Sequence, residues 1–166
     1  MIKFLILFCI LAVLGLAVID LEALLPAIHF FCLILANISG FFIHLFDNNL
    51  IITERVLRHG EHGFALVVAK DCSGLSACWL LLVAMVAFKN PWKHKLTGFV
   101  LGFLILQALN VVRIISLFYV GDILPEHFDL IHKQIWPLFL NISMMLLFGG
   151  WLFYTISNNE YSELRG

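Results

Sequence analysis

The sequence predicts an all-α integral membrane protein, a bundle of about five transmembrane helices with a short extracytoplasmic hairpin or lid before the third. Three observations carry that prediction. Of the 166 residues, 62% are hydrophobic and 13% charged, whereas soluble domains are nearer half apolar and about a quarter charged. The apolar residues gather into runs close to the length that crosses a hydrocarbon core, about 20 residues with 17 to 25 usual. A single long polar stretch, Asp47 to Asp71, interrupts them.

The first run, Phe4 to Ile19, is short for a span unless Lys3 snorkels to the surface. With Lys3 ahead of it the run resembles a signal peptide. The following Val18-Ile19-Asp20-Leu21-Glu22 offers no small-residue cleavage site, so a retained membrane helix is the better reading. Asp20-Leu21-Glu22 makes a tight turn into the second run, Ala23 to Phe46, which contains Pro26, His29, Asn37 and His44. Within the polar stretch, Leu50–Thr53 and Phe64–Ala69 are β-prone, and the glycines of Arg58-His59-Gly60-Glu61-His62-Gly63 suit a turn between them. His59 and His62 stand at i, i+3 with no further ligand nearby, so they read as a solvated turn and no metal site is assigned. The third run is Cys72 to Phe88, the fourth Leu96 to Val120 and the fifth about Gln134 to Ser157, followed by a polar tail, Asn158 to Gly166.

Two short links argue the orientation. Lys89 to Lys95 holds three lysines, Lys89, Lys93 and Lys95, whereas Gly121 to Ile131 holds none and carries Asp122, Glu126 and Asp129. The excess of Lys and Arg in cytoplasmic loops puts the lysine link inside and the acidic link outside. The amino terminus then lies outside and the carboxyl terminus inside. Lys3, Arg55, Arg58 and Lys70 fall on the outer side in that arrangement and weaken the rule over the entire chain.

Composition also excludes classes of function. A formal net charge of −1 without a basic stripe gives no reason to propose a nucleic-acid partner. The four cysteines make no disulfide framework, since Cys9, Cys32 and Cys78 lie within apolar runs as small apolar side chains. There is no metal or nucleotide motif, so no cofactor is expected.

Arg113 is the most informative residue. It sits in LQALNVVRIISLFYV, the sole charge from Leu96 to Val120. An arginine at a helix centre costs roughly 2.5 to 3.5 kcal/mol on insertion scales, so its presence asks for a use. Seven residues below Val120, at 1.5 Å each, it lies roughly 10 Å under the outer edge. Cys72 and His132 stand at ends of the neighbouring runs at similar depth, and consecutive antiparallel helices pack together. The three types suit one chemistry. A neighbouring His or Arg favours the thiolate, a Cys–His pair can attack a carbonyl, and a guanidinium can hold the resulting oxyanion. Ser73 is a rival nucleophile, Gly74 lets a substrate backbone approach, and Asn110 beside Arg113 is a positioning or substrate-binding group. Gln107, Asn110, Arg113 and Ser116 form a polar line at spacings of three that drifts around the helix. His127 competes with His132, and Asp129 could orient the His132 ring or cap the fifth helix.

Three blocks resemble the exosortases and archaeosortases: Asp71-Cys72-Ser73-Gly74-Leu75 at a helix start, Asn110-Val111-Val112-Arg113 in the next helix, and a histidine at the head of the following one. The third block reads Glu126-His127-Phe128-Asp129-Leu130-Ile131-His132-Lys133-Gln134-Ile135-Trp136-Pro137. The resemblance covers about half the chain, from the lid through the fifth run, and the size and the His block are most similar to the compact exosortase H subgroup. It implies a membrane-embedded cysteine protease and transpeptidase of the bacterial inner (cytoplasmic) membrane, multi-pass, with its site facing the periplasm. Such an enzyme cleaves a carboxyl-terminal sorting signal on exported proteins, made of a short motif, one transmembrane helix and a basic cluster. It holds the new end as a thioester and passes it to an amine or a lipid-linked acceptor. The subgroup's motif is expected to begin Ile-Pro-Thr-Leu and to include Trp-Gly. Carried over, Cys72 is the nucleophile, Arg113 the electrostatic stabiliser and His132 the acid/base, with Asn110, Ser73 and Gly74 at the substrate. The chain then divides, within one membrane domain over 1–166, into two amino-terminal helices (1–46), the lid (47–71), a three-helix catalytic core (72–157) and a cytoplasmic tail (158–166). The alternative from another class is a small transporter or channel subunit in which Arg113 binds an anionic solute.

Overall fold

The computed structural model describes residues 2–19, 21–61 and 63–163, so Asp20 in the first turn, His62 in the lid and the last three residues of the tail lie outside it. Six helices and a small sheet follow in order. They are α1 (Ile2–Ile19), α2 (Leu25–His44), β1 (Leu50–Thr53), β2 (Val56–His59), β3 (Ala65–Val67), α3 (Leu75–Ala87), α4 (Trp92–Ile123), α5 (Pro125–Leu130) and α6 (Trp136–Glu163). Three helical stretches, Glu22–His44, Trp92–Ile123 and Pro125–Ser157, are long and apolar enough to cross a membrane, and Leu5–Ile19 and Leu75–Ala87 are shorter apolar helices.

α3 is the central element, packed against α1, α4 and α6. Its core face buries Ala77, Cys78, Leu81, Ala84 and Met85. Small residues on the neighbours let large ones in. Gly15 of α1 sits under the Trp79 indole, whose Nε1 donates to Leu11 O at 3.1 Å, Gly102 of α4 receives Leu81, and Gly98 receives Trp151 of α6. α2 shows the helical stripe in full: Ile28, Cys32, Leu35, Ala36, Ser39, Gly40 and Ile43 are buried. That stripe packs with Val111, Ile114, Leu117 and Phe118 of α4. The outward faces carry Phe30, Phe41, Leu104, Leu146 and Phe153, all exposed. An apolar exterior around a core holding Asn110, Arg113 and Ser39 suits lipid, where polar side chains face the bundle interior.

The lid has one more strand than the sequence indicates. β1, β2 and β3 form an antiparallel sheet in that order, with Thr53 paired to Val56 and Leu57 to Leu66. The β1–β2 turn is Glu54-Arg55, with Glu54 at φ 53°, and it carries none of the Gly, Asn or Pro that announce a turn. His59 ends β2 and is buried, not part of a solvated turn. Its Nδ1 accepts from the Glu61 N–H at 3.3 Å and its Nε2 lies 3.4 Å from Asp47 Oδ2. The inner face of the sheet, Leu50, Leu57 and Leu66, joins the core between α2 and α4. Phe64 seats its ring on Gly121 and packs edge-on to Phe118 and Phe128, tying the lid to α4 and α5.

Two further differences from the sequence reading shape the site. α3 begins at Leu75, three residues after Cys72, because Gly74 takes a left-handed φ of 68° and breaks the backbone between them. The expected acidic link before the fifth run shrinks to Leu124. α4 continues to Ile123, and Pro125 opens α5, where a missing N–H costs nothing. Asp129 is therefore mid-helix and exposed, bonded to Lys133 Nζ at 2.9 Å, and caps nothing. A π-helical turn, Ile131–Ile135, joins α5 to α6, with the Trp136 N–H reaching back to Ile131 O. Pro137 supplies a cause, since it cannot donate to the carbonyl four residues earlier.

Candidate active site

Cys72 lies in a short 3-10 turn, Lys70–Cys72, that enters α3. At 13 residues α3 is only about 20 Å long, against a hydrocarbon core of about 30 Å. The turn before it lies at the level of Arg113 on the longer α4. The π-helical turn presents His132 toward the same point, and Cys72 Sγ lies 3.4 Å from His132 Nε2. Phe128 packs against that imidazole at a tilt of 38°, with ring centroids 5.3 Å apart. His127, the competing histidine, is exposed and faces Glu126 at 3.5 Å.

Arg113 is buried and its Nη1 donates to Asp71 O at 3.3 Å, so the guanidinium sits against the turn that carries Cys72. Its Nε is buried with no hydrogen-bond partner among the described residues. Arg113 and His132 line a cavity of ≈ 430 Å³ together with Lys70, Asp71, Gly74 and Lys133. Cys72 does not form its wall; the residue is 3% exposed, with its sulfur against His132. Burial pushes the Cys72 thiol above the ordinary cysteine range, and the Arg113 charge pulls the other way. The start of α3 beside it adds the positive end of a helix dipole, which also favours a thiolate.

The remaining residues singled out in the sequence are distributed unequally. Gly74 lines the cavity, and a Cβ there would meet Asn110 Cγ at 3.1 Å besides straining the left-handed backbone. Asn110 is fully buried and donates from Nδ2 to Cys72 O at 2.9 Å. Ser73 is buried too, its Oγ donating to Lys70 O at 2.6 Å. Asn110 and Ser73 therefore face the turn and not the cavity. Ser116, the last of the polar line, bonds within its own helix to Arg113 O. Gln107, the first of that polar line, reaches Ser73 O from Nε2 at 3.2 Å. No cluster of three or more His, Cys, Asp or Glu that could hold a metal occurs among the described residues, and the four cysteines are free thiols.

A thiol, an imidazole and a guanidinium brought together from three segments at a cavity agree with one comparison. The family profile described as transmembrane exosortase (Exosortase_EpsH) matches residues 2–153. The chain belongs to the transmembrane exosortase family. Comparisons with curated proteins and with solved structures gave no match. Exosortases are membrane-embedded proteins of protein sorting that process carboxyl-terminal signals on exported proteins, and this member is a multi-pass membrane protein.

Proposed function

We propose that this exosortase is a cysteine transpeptidase, most similar to the exosortase H subgroup, that uses Cys72, His132 and Arg113 on the sorting signal. The observation that carries the reading is the Cys72 Sγ–His132 Nε2 contact of 3.4 Å, across 60 residues of chain. A sulfur and an imidazole nitrogen at that distance can pass a proton directly.

In the proposed reaction His132 Nε2 takes the thiol proton as Sγ bonds to the scissile carbonyl carbon. The carbonyl oxygen becomes an oxyanion, and the Arg113 guanidinium on the cavity wall holds that charge. The C–N bond then breaks, the imidazolium gives its proton to the leaving amine, and a thioester remains on Cys72. An acceptor amine attacks the thioester carbon and gives a proton to His132 as the C–S bond breaks. The acceptor is a free or lipid-linked amine, and water in its place gives hydrolysis. Gly74 brings its backbone to the cavity wall, within reach of the substrate. Asn110 and Ser73 act on the turn that carries the nucleophile. Co-expression with a protein bearing the tail, followed by mass spectrometry of its new carboxyl end, tests the reaction.

The two histidines separate in the same assay. His132→Ala is expected to cut processing by roughly 100-fold or more, the range of general acid–base catalysis, while His127→Ala stays within about twofold because its ring is solvent-exposed. The opposite ranking moves the base to His127.

We further propose that the site opens to the outer face of the inner membrane, on the lysine asymmetry of the two links. Gly121 is packed under Phe64, so the outer probe belongs at exposed Glu126. A membrane-impermeant thiol reagent is expected to label Glu126→Cys in intact cells and not Lys93→Cys. Reversed labelling puts the site in the cytoplasm and contradicts action on exported proteins.

A further inference from the structure

We propose that Gln107 is a positioning residue for the nucleophile, the third rung of a ladder by which α4 fixes the Asp71–Ser73 turn; the inference rests on the thiol reading of the site. Three consecutive carbonyls of that turn are each held by a different side chain of α4. Arg113 Nη1 donates to Asp71 O at 3.3 Å, Asn110 Nδ2 to Cys72 O at 2.9 Å and Gln107 Nε2 to Ser73 O at 3.2 Å. Each step of three residues back along α4 advances one residue along the turn. The drift of about 60° per step, which separates such residues on a straight helix face, here follows a backbone that wraps past the helix.

The chemistry of the position points the same way. Gln107 Oε1 is buried with no hydrogen-bond partner among the described residues. Leucine or methionine would fill the same volume without orphaning a carbonyl. The amide at this depth is accounted for by what its other end does, and Nε2 meets two groups: Ser73 O, and Cys78 Sγ at 3.3 Å. Cys78 is a buried thiol inside α3 and already packs in an apolar cluster. Ser73 O is the last carbonyl before the left-handed Gly74, where the chain has the most freedom to swing.

Fixing that carbonyl has two effects. It limits rotation of the turn that would draw Cys72 Sγ away from His132 Nε2. It also orients the next amide, because across a trans peptide the Gly74 N–H points opposite to Ser73 O. With Ser73 O held on Gln107, that N–H is turned away from it, at a residue that lines the cavity. The ladder thus presents a backbone donor to a substrate carbonyl as Cys72 approaches it.

Gln107→Met tests the rung, since it keeps the length and volume and deletes the donor, with Cys78→Ala as its partner variant. In the full-length enzyme acting on a tailed peptide, Gln107→Met is expected to lower kcat about 10- to 100-fold, the cost of misplacing reacting groups by about 1 Å, with KM within about twofold. Cys78→Ala, which removes the other contact of Nε2, is expected to keep wild-type kinetics. Site-resolved methylthiolation of Cys72 gives a readout without substrate, and Gln107→Met is expected to slow it several-fold. Wild-type kcat and methylthiolation rate in Gln107→Met overturn the proposal. So does an equal loss in Cys78→Ala, which assigns Gln107 to packing. If Gln107→Met does not fold, Gln107→Asn, which draws the amide back by one methylene, is expected to show the same kcat loss and to overturn the proposal if it does not. Processing that persists in Cys72→Ala defeats the thiol reading instead, and methylthiolation still reports on the rung.

Discussion

Cys72→Ala is expected to reduce processing of a tailed substrate to background, a fall of roughly 10⁴-fold or more, as for loss of a covalent nucleophile. Protein level and membrane insertion are expected to stay at wild-type values. Cys72 is buried among Cys32, Val68 and Val111, so alanine exchanges a thiol for a methyl-sized gap. The sulfur's contact is with His132 Nε2, whereas three carbonyls of the turn are held by side chains of α4. Quantitative mass spectrometry of the substrate's carboxyl end, with immunoblotting of the membrane fraction, checks both halves. Normal processing in this variant excludes Cys72 as nucleophile and brings forward the transporter reading of Arg113.

Arg113→Lys is expected to lose roughly 100-fold or more in kcat, the scale seen when one oxyanion donor is removed. Charge is conserved in this substitution, so the loss isolates geometry. Arginine spends Nη1 on Asp71 O while its guanidinium still lines the cavity. A lysine ammonium is a point charge without the planar fork and cannot serve both positions at once. Arg113→Ala has a second signature, because the arginine charge opposes the upward push of burial on the Cys72 thiol. Without it the pH at which Cys72 becomes alkylated is expected to move higher. Unchanged alkylation in Arg113→Ala and unchanged kcat in Arg113→Lys together would remove Arg113 from the mechanism.

The meeting of Cys72, Arg113 and His132 was legible in the sequence because polar residues in apolar runs are expensive. Arg113 stood alone in its run, and the links on either side were short enough to force neighbouring helices together. All five apolar runs became helices, and their ends were the weak point. Gly74 delayed α3 by a left-handed residue, and Pro125 turned an expected loop into helix. The contact of His132 with Cys72, and the solvent-exposed position of His127, come with the π-helical turn, for which Pro137 is the trace in the sequence. β2 was hidden because Glu54-Arg55 makes a two-residue turn without turn residues. Gln107 was visible as one of a polar line, but its contact with the Cys72 turn was not, since helix phase alone says nothing of a turn that follows the drift.

If Cys72 carries the cleaved chain as a thioester, intact-mass analysis of the enzyme after mixing with a tailed peptide will detect it. The expected result is an adduct equal to the peptide's amino-terminal fragment, mapped to Cys72, released by neutral hydroxylamine and absent from Cys72→Ala. Processing that proceeds with no such adduct at any time point, or with an adduct that resists hydroxylamine, contradicts it.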